Sequence, residues 1–288
     1  MTRKLFFGLF IFPLLIAVGM AVLLCSVVLL THEEATPESL VAAIKAGSPG
    51  KRWEKAFELS NELNRSKNGL RTDAVMQSII HILQDPAHYD AKTRSYMAVA
   101  LGHFRKPQAV DALRMSLKDS DTDVQLYSLW ALGVLQAKKT VDEIVPFLKS
   151  DKEDLRKIAC YVLGIMADRR VILELRLRLN DPAADVRWNA ALALARLKDP
   201  SGLDTIVKML DRNSLANDYK MSEQQIEAVM INAAKGLALV SGERSQGLLA
   251  DISKHEKNLK VRQAALNALE YRGTPPDNQA LLMENIGS

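Results

Sequence analysis

The chain has 288 residues, 48% of them apolar and 25% charged, with a formal net charge of +4. That composition excludes global disorder. The near-neutral charge excludes a chain-wide cationic surface of the kind that neutralises nucleic-acid phosphates, so no nucleic-acid partner is expected. Aromatic residues make up 6%, and the wealth of Ala and Leu favours helices, where those side chains lose little entropy.

In chain order, the first element is an apolar run. Leu5–Leu30 holds no charged residue. As a helix it spans about 39 Å, and a hydrocarbon core needs about 20 residues. Arg3 and Lys4 precede it, and His32, Glu33, Glu34 and Glu38 follow. The positive-inside rule then puts residues 1–4 in the cytoplasm, 5–30 in the cell membrane as a single pass, and the rest outside the cytoplasm, in the periplasm where there is an outer membrane. A cleaved signal peptide would use Leu5–Ile16 with Ala17-Val18-Gly19 as its processing site, and would leave Met20–Leu30 as an apolar start. The retained anchor is the reading adopted. Residues 31–48 are expected to be a juxtamembrane linker. Cys25 lies in the anchor and Cys160 in the body, so no internal disulfide is expected.

Residues 49–272 carry an internal repeat. Leu101-Gly102, Leu132-Gly133, Leu163-Gly164 and Leu194-Ala195 are spaced by 31 residues, as are Arg94, Gln125, Arg156 and Arg187. Ala56, Leu59 and Ser60 extend the pattern backwards at an offset of 42, and Asn232, Ala233 and Leu237 forwards at 43, with Ala265 and Leu269 a further 32 on. Seven copies result. Each reads as two helices; in the third copy these are Asp121–Gln136 and Lys138–Lys149. Asp and Ser between copies supply N-caps, and Pro86, Pro182 and Pro200 are expected at helix starts. The Gly/Ala column lets helices approach closely. No single hairpin buries its apolar stripe alone, so the copies must stack. Residues 273–288 form a tail with room for a short capping helix.

Asp154-Leu155-Arg156-Lys157-Ile158-Ala159 and Asp185-Val186-Arg187-Trp188-Asn189-Ala190, each followed by Leu-Gly or Leu-Ala, resemble HEAT-like repeats of the phycobilisome-lyase type. The resemblance covers about residues 50–272. It implies an all-α, right-handed α-solenoid of about seven helical hairpins, here preceded by one transmembrane helix. It also implies that Asp154, Arg156, Asp185 and Arg187, with Asp123 and Arg262, form a charge ladder between copies. Gln125 and Lys260 depart from that pattern.

Chemistry-bearing motifs are sparse. No phosphate loop, dinucleotide fingerprint, nucleophile elbow or zinc-protease helix occurs, so no cofactor, metal or small-molecule substrate is expected. The pairs His32-Glu33 and His255-Glu256 are similar to those of HEAT-repeat iron hydroxylases, but lie far apart in the repeat order. Asp119-Ser120-Asp121-Thr122-Asp123 has the start of a calcium loop, yet its sixth position is Val124 and its twelfth Trp130; capping explains it better. Trp130 aligns with core positions and Trp53 is expected to pack.

Binding candidates lie elsewhere. The insertion Asp211–Ser222 interrupts the strict repeat and reads as a loop without packing duty, carrying Asn217, Tyr219 and Lys220. Tyr219 suits a hot spot. Trp188, in a column that accepts charge, is either an exposed neighbour of that loop or a packing residue. Asp85–Lys92, with His88 and Tyr89, is a second long connection. On the second helices, Arg114, Arg176 and Arg178 are the next contact candidates; Arg170, Arg176 and Arg178 form a basic spot. The chain is expected to be a membrane-anchored scaffold or adaptor for protein partners, an accessory subunit of a membrane complex, and not an enzyme. The alternative is a HEAT-fold lyase or protein-modifying enzyme.

Overall fold

The structure is a computed structural model and describes residues 12–31, 36–65, 71–240 and 242–270. Arg3, Lys4, the first part of the apolar run, His32 and the tail 273–288 lie outside the described residues. Every regular element among the described residues is a helix.

Helix α1 (Phe12–Thr31) has 20 residues and no charged side chain. Its side chains are described at 14–24 and 26, and all are exposed; Leu14, Leu23 and Leu24 keep 59%, 65% and 60% of their surface. Among the helices whose side chains are described throughout, none is long and apolar enough to cross a membrane.

The stretch expected as a linker contains a helix instead. In α2 (Pro37–Ala46) the Thr36 side chain accepts from the Ser39 backbone N–H, and Leu40, Val41 and Ile44 are buried. Those three occupy one helical face. Burying that face makes α2 the first element of the solenoid rather than a tether.

The repeats follow as α3 (Arg52–Arg65) and α4 (Asp73–Leu83), α5 (Ala91–Leu101) and α6 (Pro107–Ser116), α7 (Thr122–Val134) and the short α8 (Val141–Ile144), which continues as a 3-10 turn over Val145–Lys149. Then come α9 (Glu153–Met166) and α10 (Ile172–Arg178), α11 (Ala184–Arg196) and α12 (Leu203–Lys208), α13 (Arg212–Asn217), α14 (Glu223–Leu239) and α15 (Glu243–His255), and α16 (Leu259–Glu270). First helices α3, α5, α7, α9, α11, α14 and α16 stack on one another as one layer; α2, α4, α6, the α8 segment and α10 neighbour one another in the other. The expected pairing of two helices per copy holds through the sixth copy; of the seventh, only the first helix is described.

Close approach within the first layer rests on the Gly/Ala column. A Cβ on Gly164 would lie 2.7 Å from both Cα and Cβ of Ala193, and one on Gly133 would meet Ile165 Cδ1 at 2.9 Å. The turn from first to second helix repeats as well: Gln136, Ala167 and Lys198, 31 residues apart, have φ of 53°, 53° and 59°. None is glycine, although the left-handed region costs an L-residue roughly 1–2 kcal/mol. The surrounding stack holds these turns in place. The buried apolar residues form two clusters that meet in α11: Ala190, Ala193 and Leu194 belong to one, Trp188, Ala191 and Ala195 to the other. Pro200 opens a 3-10 turn as expected, but Pro86 sits inside a turn and Pro182 two residues before α11. Both precede a helix rather than start one, because Asp90 and the Asp181 turn lead into α5 and α11.

Two substitutions three residues apart should therefore act in opposite directions. Gly164→Val should destabilise by about 1–3 kcal/mol through overpacking. Ala167→Gly should stabilise by about 1 kcal/mol by relieving the left-handed turn. Urea unfolding of the full chain reads both as shifts in midpoint at constant slope.

Candidate functional site

The column Arg94, Gln125, Arg156, Arg187 ties successive copies together, but not as a ladder between motif Asp and Arg. Each side chain first clamps the turn preceding its own helix. Gln125 donates to the Asp119 carbonyl at 2.9 Å, Arg156 to that of Ser150 at 2.9 Å and Arg187 to that of Asp181 at 2.8 Å. Two of the arginines then reach the acid in the next turn, 25 residues on. Arg156 forms a two-point pair with Asp181, at 2.9 Å on each arm, and Arg94 pairs with Asp119. The motif acids do something else: Asp154 pairs with Lys157 at 3.0 Å, and Lys157 stands 4.0 Å from Asp185. The motif Asp lies in the first helical turn at the surface, too far along the helix to meet the guanidinium of the next copy. In the Arg187 row the partner position is Arg212, so the pairing breaks there. Arg187 instead donates to the Tyr219 hydroxyl at 3.3 Å, and Arg212 turns to Glu223 and Glu256, each at 2.7 Å.

This broken row is where the insertion sits, and it is not a free loop. Asp211 caps α13 through its side chain, Leu215 is fully buried, and the Met221 N–H donates to the Leu215 carbonyl at 3.1 Å. Trp188 is buried, with only 6% of its surface exposed, and meets the Tyr219 ring edge-on at 5.3 Å between centroids. Tyr219 keeps 41% of its surface, and Asn217 and Lys220 are exposed. So the structure brings Trp188 and Tyr219 together, as the sequence suggested, but Trp188 is a packing residue. The second long connection is tied down too. The Arg52 guanidinium sits 5.0 Å over the Tyr89 ring, Tyr89 is buried, and Asp90 caps α5.

The arginines of the second layer lie apart from that cluster, and each has a carboxylate. Arg114 binds Glu143 through Nε at 2.8 Å and Nη2 at 2.5 Å, and Arg176 binds Asp199 at 2.6 Å. Arg178 reaches the Leu148 carbonyl at 3.2 Å and stands 3.6 Å from Asp181, while Arg170 is held by Asp168 at 2.7 Å. The expected basic spot is thereby neutralised. Beside these residues the sequence reading missed an apolar feature. Leu173 and Leu177, one turn apart on α10, keep 69% and 61% of their surface. They flank a shallow cleft of about 140 Å³ floored by Val145 and Leu148. Glu174 lines the cleft, and its Oε2 is buried without a hydrogen-bond partner. The signal was available: 31 residues before Leu177 stands Pro146 and 31 before that Met115, an apolar column that is exposed in all three copies.

Other candidate chemistry dissolves into structure. Asp121 accepts from the Asp123 and Val124 backbone N–H groups, which is capping. His255 pairs with Asp251 at 2.9 Å. No group of potential metal ligands occurs among the described residues. Cys160 is buried, and burial pushes its thiol up to about 12, far from a reactive thiolate. Trp130 is core, while Trp53 is half-buried with the Lys92 ammonium 3.2 Å from its ring centre.

Comparison with known proteins fits this geometry. The family model described as HEAT repeats matches residues 76–155, 116–184 and 141–217. The match spans residues 76–217, and the fold of the described residues is an all-helical, repeat-built solenoid. Among solved structures, the complex of CpcE and CpcF of phycocyanin lyase from Nostoc sp. PCC7120 is similar at a TM-score of 0.60 and 19% identity, over 88% of this chain and 94% of that one. The Escherichia coli protein YibA is similar at 0.50 and 17%, over 82% and 86%. No curated protein sequence matches the chain. At these identities the likeness extends to the fold alone.

Asp181 carries a pH signature. Burial opposes its charge, but the hydrogen bonds from Arg156 and from the Ala183 backbone N–H outweigh burial and hold its carboxyl below the usual carboxylate range. A depressed folded-state value stabilises the protein above the ordinary carboxylate value, and that stability is lost as pH falls through the lower one. Asp181→Asn should cost about 3–5 kcal/mol at pH 7, since it strands a nearly buried guanidinium. The gap to the unsubstituted protein should close below about pH 4, measured by urea unfolding across pH 2–7.

Proposed function

We propose that this protein is a membrane-tethered scaffold that holds another protein against its second-layer face, as an accessory subunit of a membrane complex. The observation that carries the binding half is the Leu173/Leu177 pair beside the α8–α10 cleft. Exposed apolar side chains scattered singly are ordinary, whereas contiguous ones beside a concavity mark contact surfaces. Two leucines one turn apart beside that cleft suit a partner segment that offers apolar side chains. The surface formed by Asn217 at the end of α13 and by Tyr219 and Lys220 in the turn after it is a second contact region on the same reading. Arg114, Arg176 and Arg178 are already paired, so they contribute to binding only by exchanging partners.

Support for the tether is α1. It is uncharged and exposed wherever its side chains are described, and its 20 residues measure about 30 Å, the thickness of a hydrocarbon core. Arg3 and Lys4 on its N-terminal side support a cytoplasmic N-terminus with the solenoid across the membrane. The alternative of a lyase or protein-modifying enzyme rests on fold likeness to phycocyanin lyase, and fold does not carry function.

Leu173→Glu/Leu177→Glu is the test. Solubilised gently from native membranes, the unsubstituted chain should migrate within a larger complex. The double variant should fall back to its free size with an unchanged melting temperature. Co-migration that survives the substitution would show that the partner binds elsewhere.

A further inference from the structure

Repeating turns sort charge along the two edges of a solenoid. The turns from first to second helices all lie on one edge. In copies two to five that edge carries Arg105, Lys138, Lys139, Arg169 and Lys198, all exposed. Lys198 donates to the Leu239 carbonyl at 3.4 Å; the other four have no ion-pair partner among the described residues. The acids of the same turns are already neutralised, Asp168 by Arg170 and Asp199 by Arg176. The opposite edge differs. There Lys118, Lys149 and Lys152 are interleaved with Asp121, Asp151 and Glu153. A formal charge of +4 over the whole chain hides this asymmetry.

The chain enters the solenoid on the basic edge. Second-layer helices begin there, and α2 belongs to that layer. Its Glu38 accepts a hydrogen bond from the Thr72 hydroxyl, the N-cap of α4, at 3.2 Å. Lys106, the N-cap residue of α6, pairs in turn with Asp73 at the start of α4. The starts of α2, α4 and α6 therefore stand side by side. Thr31, the last residue of α1, is five peptide steps before Thr36, a reach of at most about 18 Å.

We propose that the edge bearing Arg105, Lys138, Lys139 and Arg169 lies on the anionic headgroups of the membrane that holds α1, which fixes the solenoid's orientation. The proposal rests on the tether reading. Unpaired Lys and Arg near an anionic surface are attracted over about a Debye length, roughly 10 Å at 0.1 M salt. The short connection from α1 allows the edge to approach the headgroups that closely without fixing it there, so the contact itself must come from the basic side chains. The mixed edge then faces away from the membrane, and both layers remain open to a partner.

The experiment uses the full chain with Cys25→Ser, leaving Cys160 buried. A fluorescent donor is placed through Gln108→Cys on the basic edge or Ser120→Cys on the opposite edge; both positions are exposed and uncharged. Each is reconstituted into vesicles of phosphatidylcholine alone or with about 30% phosphatidylglycerol, containing an acceptor-labelled headgroup. With phosphatidylglycerol, quenching at position 108 should exceed that at 120 by about twofold. The excess should vanish in Lys138→Glu/Lys139→Glu/Arg169→Glu, in 0.5 M NaCl, and without phosphatidylglycerol. Equal quenching at the two edges, or an excess indifferent to lipid charge, overturns the proposal. Alkaline carbonate washing separates the two readings. Protein that stays with the vesicles but shows equal quenching keeps the tether and loses the edge contact. Protein that washes off loses the tether, and the edge proposal with it.

Discussion

The constraint on which everything else depends is that a helical hairpin of this length cannot cover its own apolar stripe. Leu101, Leu132, Leu163 and Leu194 are completely buried, and each is buried by the copy beside it. That demands a short interaxial distance, which Gly133, Gly164 and Ala195 provide. The Gly164–Ala193 contact leaves no room for a side chain. Once the spacing is set, the turns must repeat, and they do so even where a non-glycine residue adopts positive φ. The charge pairs Arg94–Asp119 and Arg156–Asp181 follow from the same geometry. They fasten one turn to the next along the edge where first helices begin.

The architecture was legible because burial and sequence share a period. Residues recurring every 31 positions occupy equivalent places, so the core columns, the helix pairs and the Gly/Ala contact could be read directly. What escaped were features set by relations between copies. The arginine column was visible, but its acid lies 25 residues on in an inter-repeat turn, whereas the motif acids Asp154 and Asp185 are nearer in sequence and point to solvent. Helix α2 escaped because it comes before the first copy and has no counterpart to align with. The insertion after Asp211 looked like a loop because its helix has one buried residue, Leu215, too few to give a period. Trp188 stands in a column that accepts Lys157, yet is buried, because the insertion that follows its copy places α13 and Tyr219 over it.

The two ends of the stack differ in what they ask of α11. Its faces belong to separate apolar clusters, and the strict repeat gives way there to α13 and the Arg212–Glu256 pair. Copies two to four form the regular part. They also carry the exposed apolar column Met115, Pro146 and Leu177 and most of the unpaired basic edge. A solenoid of repeated parts thus separates its duties: the interior of the stack holds the fold, one column on the second-layer face is left apolar, and one edge is left cationic.

Photo-crosslinking at residue 177 in intact native membranes tests the scaffold proposal most directly. A photoreactive amino acid there, with a second chain labelled at Gln263 on α16 as the control, is followed by mass spectrometry of the crosslinked peptides. A scaffold predicts one dominant crosslinked protein at 177, through a segment rich in apolar residues, and none at 263. Crosslinks to many unrelated proteins at both positions, or to none at 177, would contradict it.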